Sequence, residues 1–267
     1  METDLDRLHR AMEAAPQSDA ARLAFYDRLA DAELYLLLVC EPAGDAIEPV
    51  LFDLEEGRVA LAFDREERLA AFAEGPAPYA ALPGRVVAEM LAGEGLGLGL
   101  NLGVAPSAFL LPAGGLGWLA AALRHAPEPA ASRPAAYRPP AGVPEALLAA
   151  LDAKLARLSG VASRAHLVAV TYDGGGTGHL LAFEGARAGA EAALAKAVSE
   201  ALVFSGLEAG ALDVTFLGVG DPALARLCRH ALTFDLPRPE AETAQILSPA
   251  GPGMDPGRPP KLRWRGQ

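Results

Sequence analysis

Cysteine is nearly missing from this chain: Cys40 and Cys228 are the only two among 267 residues. Two thiols so far apart make no disulfide framework, and no Cys/His cluster has the spacing of a zinc site. Both are expected to be buried, reduced thiols, because a free cysteine behaves as a small core hydrophobe. Positive charge is also short. Lys and Arg number 23 against 34 Asp and Glu, a formal net charge of −11. An acidic surface repels phosphates, so neither nucleic acid nor an anionic membrane is an expected partner. No run reaches the roughly 18 apolar residues of a membrane helix. The opening segment METDLDRLHRAMEAA lacks the apolar stretch of a signal peptide, so the cytoplasm is the expected compartment.

Apolar residues are plentiful, at 51%. They fall into segments whose length and spacing predict two α+β domains, each a small mixed sheet packed with helices. The first covers residues 1–125. Leu5, Leu8 and Met12 predict a helix, and a second runs from Ser18 to about Ala32. Leu34–Val39 reads as a buried strand. Pro49–Phe52 and Arg58–Phe63 read as a hairpin turning at Asp53–Gly57. Asp64 with Glu67 predicts a capping box for the next helix. Pro83 suits the first position of another, with Val86, Val87, Met90 and Leu91 on its apolar face. A strand at 108–111 and a helix at 116–123 complete this domain.

Residues 126–143 are rich in Pro and Ala and are expected to be a semi-rigid linker. The second domain, 144–236, should hold helices around Leu147–Leu158, Leu194–Leu202 and after Asp221. Its strands are expected at 166–172, 179–183 and 212–216. The tail, 237–267, turns to Pro, Gly and isolated charges and is expected to be disordered. It carries five cations against Glu240, Glu242 and Asp255, a charge of +2 that leaves −13 on the preceding residues.

Catalytic, cofactor-binding and metal-binding constellations are not found. Gly95-Leu-Gly97-Leu98-Gly99 begins like a dinucleotide fingerprint, but a helix precedes it and a strand-like run continues it, so a tightly packed strand with one bare face is expected. Asp173–Gly178 lies between strands without a following lysine and reads as a hairpin turn. Gly218-Val-Gly220 before Asp221-Pro222 has the geometry of an anion site, yet Asp221 occupies it as a helix cap. The histidines show neither HxH nor HxxxH spacing. His166 and His179 could meet across the second hairpin with Asp173 nearby, and these three are the first suspects should an active site exist. Neither cysteine sits in a nucleophile motif.

The segment Leu61-Ala-Phe-Asp-Arg-Glu-Glu-Arg-Leu-Ala-Ala-Phe72, then Leu82-Pro-Gly-Arg85, then Gly95–Gly103 with Asn101-Leu-Gly, resembles the N-terminal domain of the bacterial SseB (enhanced serine sensitivity) family. Residues 144–236 resemble the family's C-terminal domain in the order of their elements. The resemblance implies no catalytic residues. It implies a cytoplasmic, non-enzymatic binding or regulatory protein linked to amino-acid (serine) physiology, with a protein partner or a small metabolite as its target. The alternative is an enzyme whose site assembles from scattered polar residues near the second-domain hairpin.

Overall fold

A computed structural model describes residues 2–42, 46–55, 57–125, 133–206 and 212–237, with the backbone of 261–262. The described residues form two compact units, one through Arg124 together with Lys261–Leu262, the other from His125 to Pro237.

The first unit opens with α1 (Asp4–Ala14) and α2 (Asp19–Asp31), followed by β1 (Glu33–Leu37), β2 (Ala46–Ile47), β3 (Leu51–Leu54) and β4 (Gly57–Phe63). Then come α3 (Glu66–Phe72), β5 (Tyr79–Pro83), α4 (Gly84–Gly93), β6 (Gly97–Leu100), β7 (Phe109–Leu111) and α5 (Ala113–Arg124). Its six-stranded sheet runs β5-β1-β4-β6-β7, with β3 also on β4. Only the β4–β6 pair is parallel. Val59, Leu61 and Phe63 of β4 face one side, where Leu69 of α3 completes a buried cluster. Alternation sends Ala60 and Ala62 to the other side, with Leu98 and Leu100 beside them. There α4 packs on β1, β5 and β6, and α5 on β6.

The glycine–leucine run is explained by this two-sided burial. A Cβ on Gly97 would lie 2.8 Å from the Leu111 carbonyl oxygen, and one on Gly99 would lie 2.6 Å from Leu61 Cδ2. The leucines fill one layer, and the glycines leave room for Val59, Leu61 and Leu102 in the other. The expected strand is present, and the nucleotide reading has no strand–turn–helix setting here.

The second unit contains β8 (Pro134–Arg138), α6 (Glu145–Leu155), β9 (Arg164–Tyr172), β10 (Thr177–Glu184), α7 (Glu191–Phe204), β11 (Leu212–Leu217), α8 (Pro222–Leu227) and β12 (Leu232–Asp235). The strand order is β11-β10-β9-β12, with β8 also on β9. Leu167, Leu181 and Phe183 pack against Leu151 of α6 and Leu194 and Val198 of α7. Val168, Val170, Leu180 and Ala182 point the other way, toward Leu227 of α8. The helices thus cover both faces of a mixed sheet. Asp221 caps α8 through a 2.8 Å bond from the Ala223 N–H, with Pro222 at the first turn, as expected.

Several features depart from the sequence reading. Residues 134–138, expected inside the linker, are strand β8, paired with Ala169–Tyr172 of β9. An edge strand tolerates Pro134 and leaves most of its side chains in water, so no apolar alternation marks it. Strands β5 and β12, of five and four residues, are likewise absent from the sequence reading. Asp64 does not cap α3: Arg65 occupies the N-cap without a side-chain bond. Pro83 ends β5 and is the N-cap of α4, one position earlier than expected. Lys261–Leu262 form a short strand, β13, parallel to β2, within the tail expected to be disordered; residues 238–260 and 263–267 of that tail lie outside the described residues. Both cysteines are exposed rather than buried. Cys40 lies just past β1, and Cys228 follows the last turn of α8, where the chain leaves the core.

Candidate functional site

The densest polar assembly lies in the first unit. Thr3 caps α1 in a capping box: its Oγ1 accepts from the Asp6 N–H at 3.2 Å, and its own N–H donates to Asp6 Oδ2 at 2.9 Å. This places the Asp6 carboxylate, 1% exposed, beneath the helix start. Arg68, one turn into α3, donates Nη1 to Asp6 Oδ1 at 3.0 Å and to Asp64 Oδ1 at 2.8 Å, and Nη2 to Asp6 Oδ2. The Ser107 hydroxyl donates to Asp6 Oδ1 and accepts from Asn101 Nδ2 at 2.9 Å. Asn101 Oδ1 in turn accepts from the Asp64 N–H at 3.1 Å. Thr3 Oγ1 closes the circuit by donating to Asp64 Oδ2 at 2.7 Å.

The network ties together the start of α1, the β4–α3 corner and the β6–β7 connection. Asn101 adopts a left-handed backbone, φ 51°, a conformation asparagine tolerates better than most residues. Burial alone would push the Asp6 carboxyl up. The hydrogen bonds from Arg68, Ser107 and the Thr3 backbone, with the Arg68 charge, outweigh burial and hold it well below the carboxylate range. Both carboxylates bond the one guanidinium of Arg68, and Asp6 is held ionised. Such a cluster stiffens a wall.

Beside this wall is a cavity of about 370 Å³, lined by Glu2, Thr3, Asp4, Leu5, Arg28, Ala32, Glu33, Asp64 and Arg65. That volume is at the small end of ligand pockets. Most of its acidic groups are occupied. Glu2 pairs with Arg10 at 2.9 Å, Asp4 with Arg7 at 2.8 Å, and Asp64 with Arg68 at 2.8 Å. Its two guanidiniums are less satisfied. The Nε atoms of Arg28 and Arg65 are buried without a hydrogen-bond partner. Arg28 Nε has only a 3.5 Å ionic contact with Asp4, and the Arg65 guanidinium has no ion-pair partner among the described residues. Glu33, at the start of β1, accepts a 3.2 Å bond from the Tyr35 hydroxyl, its one side-chain hydrogen bond among the described residues.

In the second unit His166 is buried on β9. Its Nδ1 lies 3.0 Å from Thr233 Oγ1 of β12, and its Nε2 lies 3.2 Å from Glu184 Oε2 of β10. Cys228 Sγ lies 3.8 Å from Nδ1 and 3.9 Å from Nε2. Both ring nitrogens already have closer partners, Thr233 at 3.0 Å and Glu184 at 3.2 Å, than this sulfur. Burial and the Glu184 charge push the thiol pKa up, against the pull of Arg164. A nucleophilic cysteine needs the opposite shift.

His179 pairs with Ala169 and His166 with Ala182, an odd offset that sends the two rings to opposite faces of the sheet. His179 bonds the Ala141 carbonyl, and Asp173 lies in the turn beyond the end of β9. The trio His166, Asp173 and His179 is therefore not assembled. Among the described residues no group of three or more His, Cys, Asp or Glu side chains is arranged to hold a metal, and no helix is long and apolar enough to cross a membrane. The sequence reading missed Thr3, Asp6, Arg28, Arg65, Arg68 and Ser107. Its one available signal was the i, i+4 spacing of Asp64 and Arg68, whereas Asp64 was read there, with Glu67, as a capping box.

The fold and this site define an α+β protein of two mixed-sheet units, the first stiffened by a buried ionic network beside a polar cavity. Residues 8–115 of its first unit, from α1 into α5, match the SseB protein N-terminal domain. The match ends before the second unit. No curated protein and no solved structure matches the chain.

Proposed function

We propose that the protein acts by binding, without catalysis, and that the cavity beside Thr3, Arg28 and Arg65 is where it meets its ligand. The observation that carries this reading is the contrast within one site. The ionisable groups around Asp6 are fully bonded to one another, whereas the neighbouring guanidinium of Arg65 has no partner among the described residues. A rigid wall beside an unsatisfied donor suits recognition, while acid–base work needs a group poised to gain or lose a proton. A small metabolite fits the volume better than a protein side, and the SseB kinship points to amino-acid physiology as its setting. The second unit would then serve as a regulatory or docking module of the SseB C-terminal kind.

The test is to incubate the purified chain with a bacterial metabolite extract and follow both retention and depletion. Retention of a compound without its conversion is expected. Depletion that scales with chain concentration and is abolished in H166A would defeat the binding reading and restore an enzyme built near the second-unit hairpin.

A further inference from the structure

We infer that the first-unit cavity takes a small zwitterion: a carboxylate against Arg28 and Arg65, and an ammonium or hydroxyl donor toward Glu33. The inference rests on the binding reading above and adds the chemical class of the ligand.

The argument starts from charge. Counted naively the cavity is acidic, with Glu2, Asp4, Glu33 and Asp64 against Arg28 and Arg65. A simple anion would be repelled by that sum. Three of the four acids are already engaged by arginines, however: Glu2 by Arg10, Asp4 by Arg7, and Asp64 by Arg68, which it shares with Asp6. What remains for a ligand is a pair of guanidiniums and a single carboxylate, Glu33. Guanidiniums recognise carboxylates through parallel N–H donors, and their attraction strengthens in a partly desolvated recess. The buried, unpartnered Nε atoms bear on the same point. A polar N–H shut away from water without an acceptor is costly, and a carboxylate drawing either side chain into a forked contact would relieve that cost. Arg28 is only 23% exposed and its ionic contact with Asp4 is long, at 3.5 Å, so it has little competing geometry to give up.

Opposite charges lining one small recess select for a molecule carrying both. A carboxylate alone would leave Glu33 unmatched and near the incoming anion. An amine alone would meet two cations. The volume, about 370 Å³, admits an α-amino acid with its water.

The experiment is a calorimetric titration of the full chain with three probes: glycine, acetate and methylamine. Glycine is expected to bind, acetate at least tenfold more weakly, and methylamine not measurably. R65A should weaken glycine at least tenfold without disturbing the fold, since the Arg65 guanidinium has no ion-pair partner to lose among the described residues. R65K, which keeps the charge but not the fork, should fall between. E33Q should erase the preference for glycine over acetate. Absence of glycine binding, or binding that R65A leaves unchanged, overturns the inference. Neither result touches the non-catalytic reading, which only turnover defeats.

Discussion

Asp6 shows how a single side chain decides what its surroundings can do. Its carboxylate is buried, yet four donors hold it ionised, so its folded pKa lies far below its ordinary 3.8. In the unfolded chain the same group takes up a proton near pH 4, while the folded form resists. The stability this gives is full above that pH and is lost as pH falls toward the folded value. Urea midpoints should therefore drop below about pH 4, and D6N should flatten that drop. R68A removes the cation and leaves Asp6 buried and uncompensated, and should cost about 3–5 kcal/mol in the same assay. Cys228 makes the converse case. Its raised pKa predicts an alkylation rate whose pH midpoint lies above the usual thiol value, and E184Q should lower that midpoint.

Elements were legible in this sequence where they bury a regular stripe, and illegible where they do not. Helices α1, α4 and α7 bury apolar side chains at helical spacing, and strands β1, β4, β9 and β10 are mostly apolar runs. The Gly97–Leu100 strand was readable because alternating glycine fits only a strand pressed on one face. Strand β8 was not readable, because an edge strand with Pro134 and three exposed residues looks like linker. The cavity was not readable either: Arg28, Arg65 and Asp6 are charged residues at helix starts and faces, and only the tertiary approach of α1 to the β4–α3 corner gives them meaning. One close approach between elements can be tested directly. A Cβ on Gly84 would lie 1.9 Å from the Leu29 carbonyl oxygen, where α4 begins against the end of α2. G84A should cost at least the roughly 1–3 kcal/mol of an overpacked core. At the far end of the same helix nothing lies within 4 Å of the corresponding position in Gly93, so G93A should be neutral or stabilise by under about 1 kcal/mol. Chemical denaturation of the two variants separates the effects.

At the scale of the molecule, charge and covalent order are distributed unevenly. The residues before the tail carry −13 and the tail +2. Lys261–Leu262 nevertheless adds a strand to β2, so the tail's far end is held by the first unit. Two parallel residue pairs are a weak attachment. Truncation after residue 245 should remove hydrogen-exchange protection at Ala46 and Ile47 while leaving global stability nearly unchanged. The central claim concerns the cavity of the same unit, where a locked ionic wall borders a recess built to receive a small zwitterion. The most direct test is to follow the arginine Nε–Hε signals of the isotope-labelled chain by NMR during a glycine titration. The account predicts saturable shifts confined to Arg28 and Arg65, with the Arg68 signal unmoved. Shifts absent from Arg28 and Arg65, or spread evenly over the exposed arginines, would contradict it.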